Sequence, residues 1–410
     1  MAHKERNRLI VIGGGAAGYF AAINAAEQCA NLDVVILEKS NKTLSKVRIS
    51  GGGRCNVTHA CFDPDELVLH YPRGEKELTG PFHSFQPGDT FEWFQSRGVE
   101  LKTEDDGRVF PLSNQSSSII DCFNKSADNA GLRVCLQSAL KQIIVPSTEQ
   151  DKWKIILEDG NQMDCDHLLI ATGSSPAMWD VIRRDTKHSI IDPVPSLFTF
   201  NISSGILKNN PGIAMPSAII RIPDVNLEEQ GPVLITHWGL SGPAILRASA
   251  WGARKMNTLN YHFDLYVNWL GMEMEEIKAE IEHFKSEAAR KSITGNCPFA
   301  MPSNLWKSIC IASTIAERWA DISRKEMDLL AQNLGNCLFL VRGKSTFKDE
   351  FVTAGGINLK EINWKKMESK FHPGLYFAGE VLNIDAITGG FNFQAAWTTG
   401  WIVARSIENK

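Results

Sequence analysis

The stretch Leu9-Ile-Val-Ile-Gly-Gly-Gly-Ala-Ala-Gly18 decides the fold of this chain. An apolar strand runs directly into Gly13-x-Gly15-x-x-Gly18, and the small and apolar residues from Tyr19 to Ala26 predict a helix. In this spacing the first glycine permits a tight strand-to-helix turn, and the second lets the backbone approach a pyrophosphate. The third allows the helix to pack closely on the strand. The stretch therefore predicts a dinucleotide site at a helix N-terminus.

An acidic residue at the expected distance strengthens this prediction. A second apolar strand, Asp33-Val-Val-Ile-Leu-Glu38, ends in a carboxylate. It lies about 20 residues beyond the last glycine, where such sites hold the ribose hydroxyls. Strand, glycines, helix and acid together favour a Rossmann-like domain over a glycine-rich turn in an unrelated α/β protein.

Length and charge limit the number of domains and the kind of partner. The 410 residues are enough for two or three domains of about 150 residues each. The formal net charge is −4, with acids and bases interspersed, so neither a basic track for nucleic acid nor a polybasic membrane patch is predicted. We expect a small-molecule substrate, no nucleic acid and no membrane; the oligomeric state is left open.

The N-terminus and the cysteines favour a cytoplasmic location. Residues Met1 to Arg8 with the following apolar run are similar to a signal peptide, but that run contains the phosphate-binding glycines and lacks a cleavage site. We predict a strand there. No stretch reaches the roughly 18 apolar residues of a membrane span. The 9 cysteines include no Cys-x-x-Cys pair, which is typical of reduced thiols, and no metal site is predicted.

A second glycine-rich segment, Ser50-Gly-Gly-Gly-Arg-Cys-Asn56, follows Glu38. Its backbone N–H groups could line an anion or ring-edge site, with Arg54 supplying fixed charge; a flexible surface loop is the alternative. Residues from about 60 to 130 are interpreted as irregular elaboration around one helix-like stretch, Ser117 to Asp128.

Strand signals return in the next part of the chain. We predict a β-meander from Leu132–Leu136, Leu140–Val145 and Trp153–Leu157, with a turn at Asp159-Gly160. It leads to an apolar strand ending in Ala171-Thr172-Gly173. A meander inserted in a nucleotide fold is typical of two-dinucleotide-binding flavoproteins.

The character of the chain changes between residues 191 and 344, which we interpret as an inserted domain. Pro-punctuated strand signals run to about residue 270, and a helical part covers about 271–344. One helix is predicted at Met274–Phe284, and a capping box is predicted at Ser323 with Glu326. The predicted domains are 1–190, the insert 191–344, and 345–410, which completes the first.

The C-terminal segment has the same pattern as the N-terminal one, a short strand followed by a glycine turn that enters a helix. Gly374-Leu-Tyr-Phe-Ala-Gly-Glu380 is a short strand ending in a carboxylate, and Thr388-Gly-Gly-Phe-Asn-Phe-Gln394 is a glycine turn entering a helix. A carboxylate in this place can bind a ribityl hydroxyl, and helix amides can face a phosphate or a flavin carbonyl edge. Both chain ends are therefore expected in one α/β domain that the insert interrupts.

These motifs, with Thr236-His-Trp-Gly-Leu-Ser-Gly-Pro-Ala244 and Thr353-Ala-Gly-Gly356, extend over nearly the whole chain. The chain resembles the BaiN-like (YhiN-type) family of FAD-dependent oxidoreductases, also described as the aminoacetone-oxidase family. The resemblance implies a Rossmann-like FAD/NAD(P)-binding domain of the two-dinucleotide-binding flavoprotein type, with FAD as cofactor. No second nicotinamide-binding fingerprint occurs in residues 190–344, which favours either NAD(P)H as a transient reductant or no nicotinamide at all.

The resemblance also implies which residues contact FAD. Gly13, Gly15 and Gly18 are expected at the pyrophosphate, Glu38 at the adenosine ribose and the backbone of Leu140 at the adenine. Arg54, Cys55 and Asn56 are expected near the flavin or its ribityl chain, and Thr172 and Gly173 beside the cofactor. Gly379 and Glu380 are expected at the ribityl-phosphate region, and Gly390, Asn392 and Gln394 near the isoalloxazine. Further implied positions are Ala16, Ala17, Lys39, Lys46, Gly53, Ala171 and Phe391.

The chain departs from the family pattern after Gly-Glu. That pattern continues Leu-Asp-x-Asp-Gly, whereas this chain has Leu382-Asn-Ile-Asp-Ala386. Asn383 in place of the first Asp puts one charge near the flavin in question, but not FAD binding.

The flavin would carry the redox step, so no catalytic residue is assigned. Cys55 lacks the second thiol of a redox pair, and His237 is either an acid or base or a hydrogen-bonded structural residue, with His59 and His83 as weaker candidates. The resemblance implies amine oxidation or enone reduction on a small organic substrate. A flavoprotein acting on tRNA and a flavin-dependent binding or sensor module are the alternatives.

Overall fold

The structure is a computed structural model that describes residues 6–148, 150–345 and 352–408. The N-terminal strand begins at Asn7, and Met1 to Glu5 lie outside the described residues. Chain contacts define two compact units: unit 1 is Met1–Pro193 with Val352–Lys410, and unit 2 is Val194–Phe351. The boundary expected at 344/345 lies beside residues 346–351, which are outside the described part. No helix in the described ranges is long and apolar enough to span a membrane.

The helices alternate with strands in unit 1 and cluster near the end of unit 2. In chain order they are α1 (Ala16–Gln28), α2 (Ser45–Gly53), α3 (Pro64–Leu67), α4 (Glu75–Ser84), α5 (Pro87–Gln95), α6 (Ser116–Asn129), α7 (Pro176–Thr186), α8 (Gly205–Lys208), α9 (Pro243–Trp251), α10 (Ala253–Thr258), α11 (Met274–Glu287), α12 (Ser303–Ala312), α13 (Arg324–Gly335) and α14 (Phe391–Glu408).

The strands form several separate sheets. In chain order they are β1 (Asn7–Ile12), β2 (Leu32–Leu37), β3 (Thr58–His59), β4 (Leu101–Thr103), β5 (Arg108–Pro111), β6 (Arg133–Cys135), β7 (Leu140–Ile144), β8 (Trp153–Leu157), β9 (Gln162–Cys165), β10 (His167–Ile170), β11 (Ile190–Ser196), β12 (Thr199–Ile202), β13 (Ala214–Ile222), β14 (Leu227–Ile235), β15 (Gly239–Ser241), β16 (His262–Asn268), β17 (Cys337–Ser345), β18 (Val352–Ile357), β19 (Ile362–Asn363), β20 (Glu368–Ser369) and β21 (Leu375–Phe377).

Unit 1 is built on a seven-stranded sheet in the order β19-β20-β21-β10-β1-β2-β6. The strands from β6 to β21 are parallel, and β20 and β19 continue antiparallel. Strand β1 is central because Leu9 to Val11 are apolar on both faces and fully buried, as both-sided cover by helices requires. The predicted α/β fold class of Rossmann type is confirmed.

The two ends of the chain meet in the helix layer, where α14 packs along α1. The approach is close because Gly400 of α14 has no side chain: a Cβ there would lie 3.0 Å from the carbonyl oxygen of Ala17 and 3.3 Å from the amide of Ala21. An aromatic cluster beside this contact includes Phe20 of α1 and Trp397 of α14, with ring centroids 5.4 Å apart. The N-terminal and C-terminal motifs therefore belong to one body.

Two predictions for residues 60–165 are corrected. The predicted helix-like stretch Ser117 to Asp128 is α6, but the region around it, expected to be irregular, contains three further helices, α3 to α5, and the sheet β3-β5-β4. Two of its prolines, Pro64 and Pro87, occupy first-turn positions, where the missing N–H costs nothing. The meander is β7-β8-β9, because β6 pairs with β2 in the main sheet instead.

Unit 2 contains a closed barrel in the order β12-β15-β14-β13-β16-β17. Helices α11 and α13 match the predictions, including the capping box at Ser323 and Glu326. The part predicted to be helical up to residue 344 is wrong at its end, since Cys337–Ser345 is strand β17. Its residues alternate between buried (Cys337, Phe339, Val341) and exposed positions, which is the period of a strand.

A buried histidine connects α7 to β20 in unit 1. The ring of His188 is fully buried, with Nδ1 2.8 Å from the Thr186 hydroxyl and Nε2 3.0 Å from the Ser369 hydroxyl. Thr186 donates to the carbonyl of Ile182, so its oxygen accepts from Nδ1–H and Nε2 accepts from Ser369. Burial, and then the nearby His372, lower the pKa of His188 to about 4. The ring is therefore held neutral.

The neutral His188 makes stability depend on pH. The unfolded histidine binds a proton near pH 6.5, but the folded one only near pH 4, so the unfolded state holds more protons between these values. Stability is complete above about pH 6.5 and falls as the pH drops towards 4, by up to about 3 kcal/mol. Denaturant unfolding measured at several pH values in this range gives the free energy of unfolding as a function of pH. We expect that free energy to change less steeply with pH in His188→Gln than in wild type. The exposed His83→Gln control should keep the wild-type slope, and equal slopes for His188→Gln and wild type would contradict the assignment.

Candidate functional site

The β1–α1 turn combines a tight contact with an open space. Gly13 has φ 111°, and a Cβ on it would lie 2.5 Å from the carbonyl oxygen of Ala171 at the end of β10. A Cβ on Gly18 would lie 2.0 Å from the carbonyl oxygen of Gly13. By contrast, a Cβ on Gly15 would meet nothing within 4 Å. The turn is therefore tightly packed at Gly13 and Gly18, but there is open space next to Gly15. A backbone that approaches a ligand requires such a space. Ala16 and Ala17 follow as the first residues of α1.

Glu38 lies directly after β2 and braces this turn. One carboxylate oxygen accepts from the Gly14 amide at 2.9 Å, and the other accepts from the Ser40 amide at 2.9 Å. Each oxygen keeps a further lone pair for a ribose hydroxyl. The neighbouring Lys39 is exposed, and the carbonyl of Glu38 accepts from the amide of Ser138, two residues before Leu140 in β7.

The second glycine segment is a helix end with left-handed backbone. Helix α2 loses helical geometry at Ser50, and Gly51, Gly52 and Gly53 have φ of 58°, 68° and 85°. A Cβ on Gly52 or Gly53 would meet nothing within 4 Å. Successive N–H groups in such a conformation form a concave surface that favours anions.

Cys55 and Arg54 are both engaged within the protein. The Cys55 thiol is fully buried, and burial raises its pKa to about 12, so it is a protonated thiol without redox reactivity. The Arg54 guanidinium donates to Glu104 at 2.6 Å and lies 3.8 Å above the Phe110 ring. Arg108 donates to the other oxygen of Glu104 at 3.1 Å, so Arg54 shares this counter-charge with a second arginine.

Residues from three distant parts of the chain meet around Glu380. Lys46 of α2 forms an ion pair with the Glu380 carboxylate. A Cβ on Gly173 would come within 3.9 Å of that carboxylate, and one on Gly379 would lie 2.9 Å from the Ala17 side chain. The start of α1, the end of β10 and the end of β21 are therefore brought together at one edge of the sheet.

Two buried side-chain oxygens at this edge have no hydrogen-bond partner among the described residues, and Nδ1 of His59 in the neighbouring β3 also has none. The two oxygens are the hydroxyl oxygen of Thr172 and the side-chain oxygen of Asn56. Thr172 lies against the turn, since its Cα would be 3.0 Å from a Cβ on Gly13. An unsatisfied buried polar atom costs about 1–3 kcal/mol, so each calls for a partner that is bound at this edge. The donor set thus fits a dinucleotide.

Two side chains at the entry to α14 are engaged within the protein. The Gln394 side chain is fully buried, accepting from the hydroxyls of Thr58 at 2.6 Å and Thr90 at 2.8 Å and donating to Thr398 at 3.1 Å. It therefore supports α14 from inside. The Asn392 side chain bonds both the amide and the carbonyl of Ala386. The expected places of both residues near the isoalloxazine stay predictions.

Gly390 and Phe391 lie where the loop meets β3. A Cβ on Gly390 would be 2.3 Å from the carbonyl oxygen of Thr58 and 2.8 Å from Asn56 Oδ1. The ring of Phe391 is buried and stacks on His59 and His70, at centroid distances of 4.5 and 4.3 Å. Burial lowers the pKa of both histidines.

The remaining histidine candidates are both exposed. His83 is exposed and 3.3 Å from Asp65, and His237 is exposed in unit 2. Sequence reasoning overlooked a group of residues that holds the loop before α14, Tyr71 and Arg73. The only sequence signal for them was the unusual Tyr71-Pro-Arg-Gly74 run in the region interpreted as irregular.

Comparisons with known proteins agree with this geometry. Residues 7–406 match the family described as HI0933-like protein Rossmann domain. A 3-dehydro-bile acid delta(4,6)-reductase of Clostridium scindens is 24% identical, with 98% of each chain covered. A ribosomal RNA dihydrouridine synthase of Haemophilus influenzae is 27% identical, again with 98% of each chain covered. The 3-ketosteroid delta1-dehydrogenase of Sterolibacterium denitrificans shares the fold, with TM-score 0.52, 12% identity and coverage of 98% of this chain and 100% of that one.

The fold and the family model together define the class as that of proteins built on a Rossmann domain. The chain belongs to the HI0933-like Rossmann family, which confirms the resemblance drawn from the sequence.

The open and closed glycines of the turn give a matched pair of variants. Gly15→Val places its side chain in open space on extended backbone with φ −93°, so the chain should fold but lose bound FAD and its yellow colour. Gly18→Ala instead drives a Cβ into the Gly13 carbonyl, so it should lower the melting temperature. Visible absorbance and thermal unfolding measure the two effects. A yellow Gly15→Val protein with wild-type FAD affinity would show that the turn does not hold the pyrophosphate.

Proposed function

We propose that this protein uses FAD to reduce a carbon–carbon double bond conjugated with a carbonyl group in a small organic acceptor. The observation that carries the proposal is the set of unsatisfied groups at one edge of the unit 1 sheet: the open space over Gly15 and the oxygens of Thr172 and Asn56 that have no partner among the described residues. The C-terminal part of the chain brings Glu380 to the same edge. It is supported by membership of the family and by the activities named for two relatives.

The named activities share one kind of chemistry. A delta(4,6)-reductase acts on double bonds of a 3-dehydro-bile acid, where the 3-oxo group can conjugate with them. Conversion of uridine to dihydrouridine saturates the ring double bond that is conjugated with a ring carbonyl. Both reactions add hydrogen across an electron-poor double bond. This favours enone-type reduction over amine oxidation for the present chain.

In this proposal each residue of the edge has a defined task. The amides at the start of α1 face the pyrophosphate, and Glu38 accepts from ribose hydroxyls. Thr172 and Asn56 gain the hydrogen bonds that they lack within the protein, and Glu380 with Lys46 lies at the ribityl-phosphate side. FAD, when bound, supplies the two-electron transfer.

The protein's own side chains shape the surroundings of the reaction. Cys55 stays protonated because burial raises its pKa to about 12, so it neither attacks the acceptor nor forms a disulfide. Glu104 forms an ion pair with Arg54, which engages that guanidinium within the protein. We propose NADH or NADPH as the transient reductant.

A second candidate acceptor is the uracil ring within RNA. The observation in its favour is the relative named ribosomal RNA dihydrouridine synthase, which matches along 98% of each chain. The net charge of −4 gives no general attraction for polyanions, and for this reason we place the small acceptor first.

An anaerobic two-step experiment tests the proposal. The purified yellow protein is mixed with NADH or NADPH until the flavin absorbance bleaches, and then with an enone or with uridine-containing RNA. A separate portion of the oxidised protein is mixed with a primary amine in place of the nicotinamide. We expect a nicotinamide to bleach the flavin and an enone to restore the colour with formation of the saturated ketone.

The other outcomes select between the alternatives. Recovery of colour with RNA alone, with dihydrouridine formed, would move the acceptor to the second candidate. Bleaching of the oxidised flavin by an amine would establish amine oxidation instead. A wild-type protein that remains colourless after reconstitution with FAD would overturn the proposal, and Gly15→Val serves as the cofactor-free control.

A further inference from the structure

The segment His70–Arg73, which follows α3, holds the loop Asp385–Phe391 that precedes α14. The carbonyl of His70 accepts from the Ile387 amide at 3.0 Å, and the Tyr71 hydroxyl donates to the carbonyl of Phe391 at 2.6 Å. Arg73 and Asp385 form an ion pair through two nitrogens and both carboxylate oxygens, at a point where the two backbones also make a β-bridge. Contacts that span more than three hundred residues of sequence thus fix one loop.

The ion pair is buried, which makes it unlike the other pairs of unit 1. The Asp385 side chain is 0% exposed and that of Arg73 is 11% exposed, whereas the pair between Arg97 and Glu27 is 20% and 40% exposed. A carboxylate without solvent is tolerated only when a counter-charge and hydrogen bonds satisfy it. A planar guanidinium that bonds both oxygens also fixes direction, which a lysine ammonium does not. The pair therefore fixes Asp385 in both position and orientation.

The loop held in this way carries Gly389, Gly390 and the first amides of α14. Gly390 lies next to the side-chain oxygen of Asn56, which has no hydrogen-bond partner among the described residues. A Cβ on Gly390 would be 2.8 Å from that oxygen. Helix N-terminal amides have no partner within the helix, and they attract negative charge. A displacement of the loop would therefore move these donors relative to Asn56.

Other contacts act together with the ion pair on this segment. The Asn392 side chain fixes Ala386 from the helix side, and the amide of Asn383 donates to the carbonyl of Ile357 at 3.1 Å on the strand side. Asp385 lies between these two points, so the Arg73 pair contributes to the path of the segment.

We propose that Arg73 and Asp385 are positioning residues for the flavin: by fixing the loop before α14, they set how tightly FAD is held and the polarity of the site at the flavin ring. The inference rests on the proposed function, because it requires FAD at this edge. It gives Asp385 a structural task and explains how the chain tolerates Asn383, since the charge that matters to the loop is the one paired with Arg73.

Equilibrium FAD binding and the bound flavin's spectrum and midpoint potential test this assignment on the full-length protein. We compare wild type, Arg73→Lys, and the double variant Arg73→Met with Asp385→Asn, which leaves no unpaired buried charge. The double variant should bind FAD about tenfold more weakly or worse, the scale on which supporting residues affect metal sites. Its remaining flavin should show a shifted visible band and potential, and Arg73→Lys should lie between it and wild type.

A matched ion pair controls for general destabilisation. Arg97→Met with Glu27→Gln removes a pair of unit 1 that lies at 2.6 Å but does not contact the loop, and it should leave affinity, spectrum and potential at wild-type values. If the double variant fails to fold, Tyr71→Phe, which removes only the hydroxyl bond to the loop, must show a weaker form of the same changes.

The outcomes separate the two levels of the proposal. Wild-type protein that binds no FAD overturns the proposed function and this inference together. Wild-type FAD binding with unchanged affinity, spectrum and potential in the double variant or in Tyr71→Phe overturns the positioning role alone. Equal changes in the Arg97 control also overturn it, because the effect would then be a general loss of stability.

Discussion

The close packing of α14 against α1 is the constraint on which the rest of unit 1 depends. Gly400 lets the backbones approach so that Ala17 and Ala21 lie in direct contact with α14. This contact joins the first helix of the chain to the last, with the whole of unit 2 inserted between them in sequence. A side chain at Gly400 would push the two helices apart by a few tenths of an ångström, and this would shift the turn at Gly13 relative to the carboxylate of Glu380.

Polar groups at that edge fall into two sets with different consequences. Some are satisfied inside the protein: Gln394 is bonded to three threonines and Asp385 to Arg73. Such networks hold the framework in a single arrangement. The others, Thr172 and Asn56, are buried without a partner in the described part of the chain. The first set holds the site in place, and the second set is available to bind a ligand. The residue type alone does not show to which set a side chain belongs.

The sequence predicted the parts of the fold where local pattern and tertiary role coincide. The turn at Gly13, the strand ending at Glu38 and the capping box at Ser323 are local signals, and they are present as expected. Strand β17 was overlooked because its alternation of buried and exposed residues follows a helical region, and its partners β12 and β16 are distant in sequence. The helices between residues 64 and 95 were overlooked because prolines and glycines begin or interrupt them.

The same distinction applies to the candidate site. Glycine spacing reports backbone geometry, so the positions of Gly13, Gly15 and Gly18 could be deduced from sequence. The engagement of Arg54 by Glu104, and of Gln394 by Thr58 and Thr90, depends on side chains brought together by the fold. The spacing of residues in the sequence does not predict these contacts. Arg73 lies 312 residues from Asp385, and only the structure shows that they are partners.

The central claim is that the two chain ends form one FAD site. Hydrogen exchange of the backbone amides, followed as FAD is titrated into the FAD-free protein, tests it most directly. The account predicts that peptides covering residues 13–18 and residues 379–392 gain protection together, with the same dependence on FAD concentration. Protection confined to the N-terminal peptide, with the C-terminal peptide exchanging as in the free protein, would contradict it.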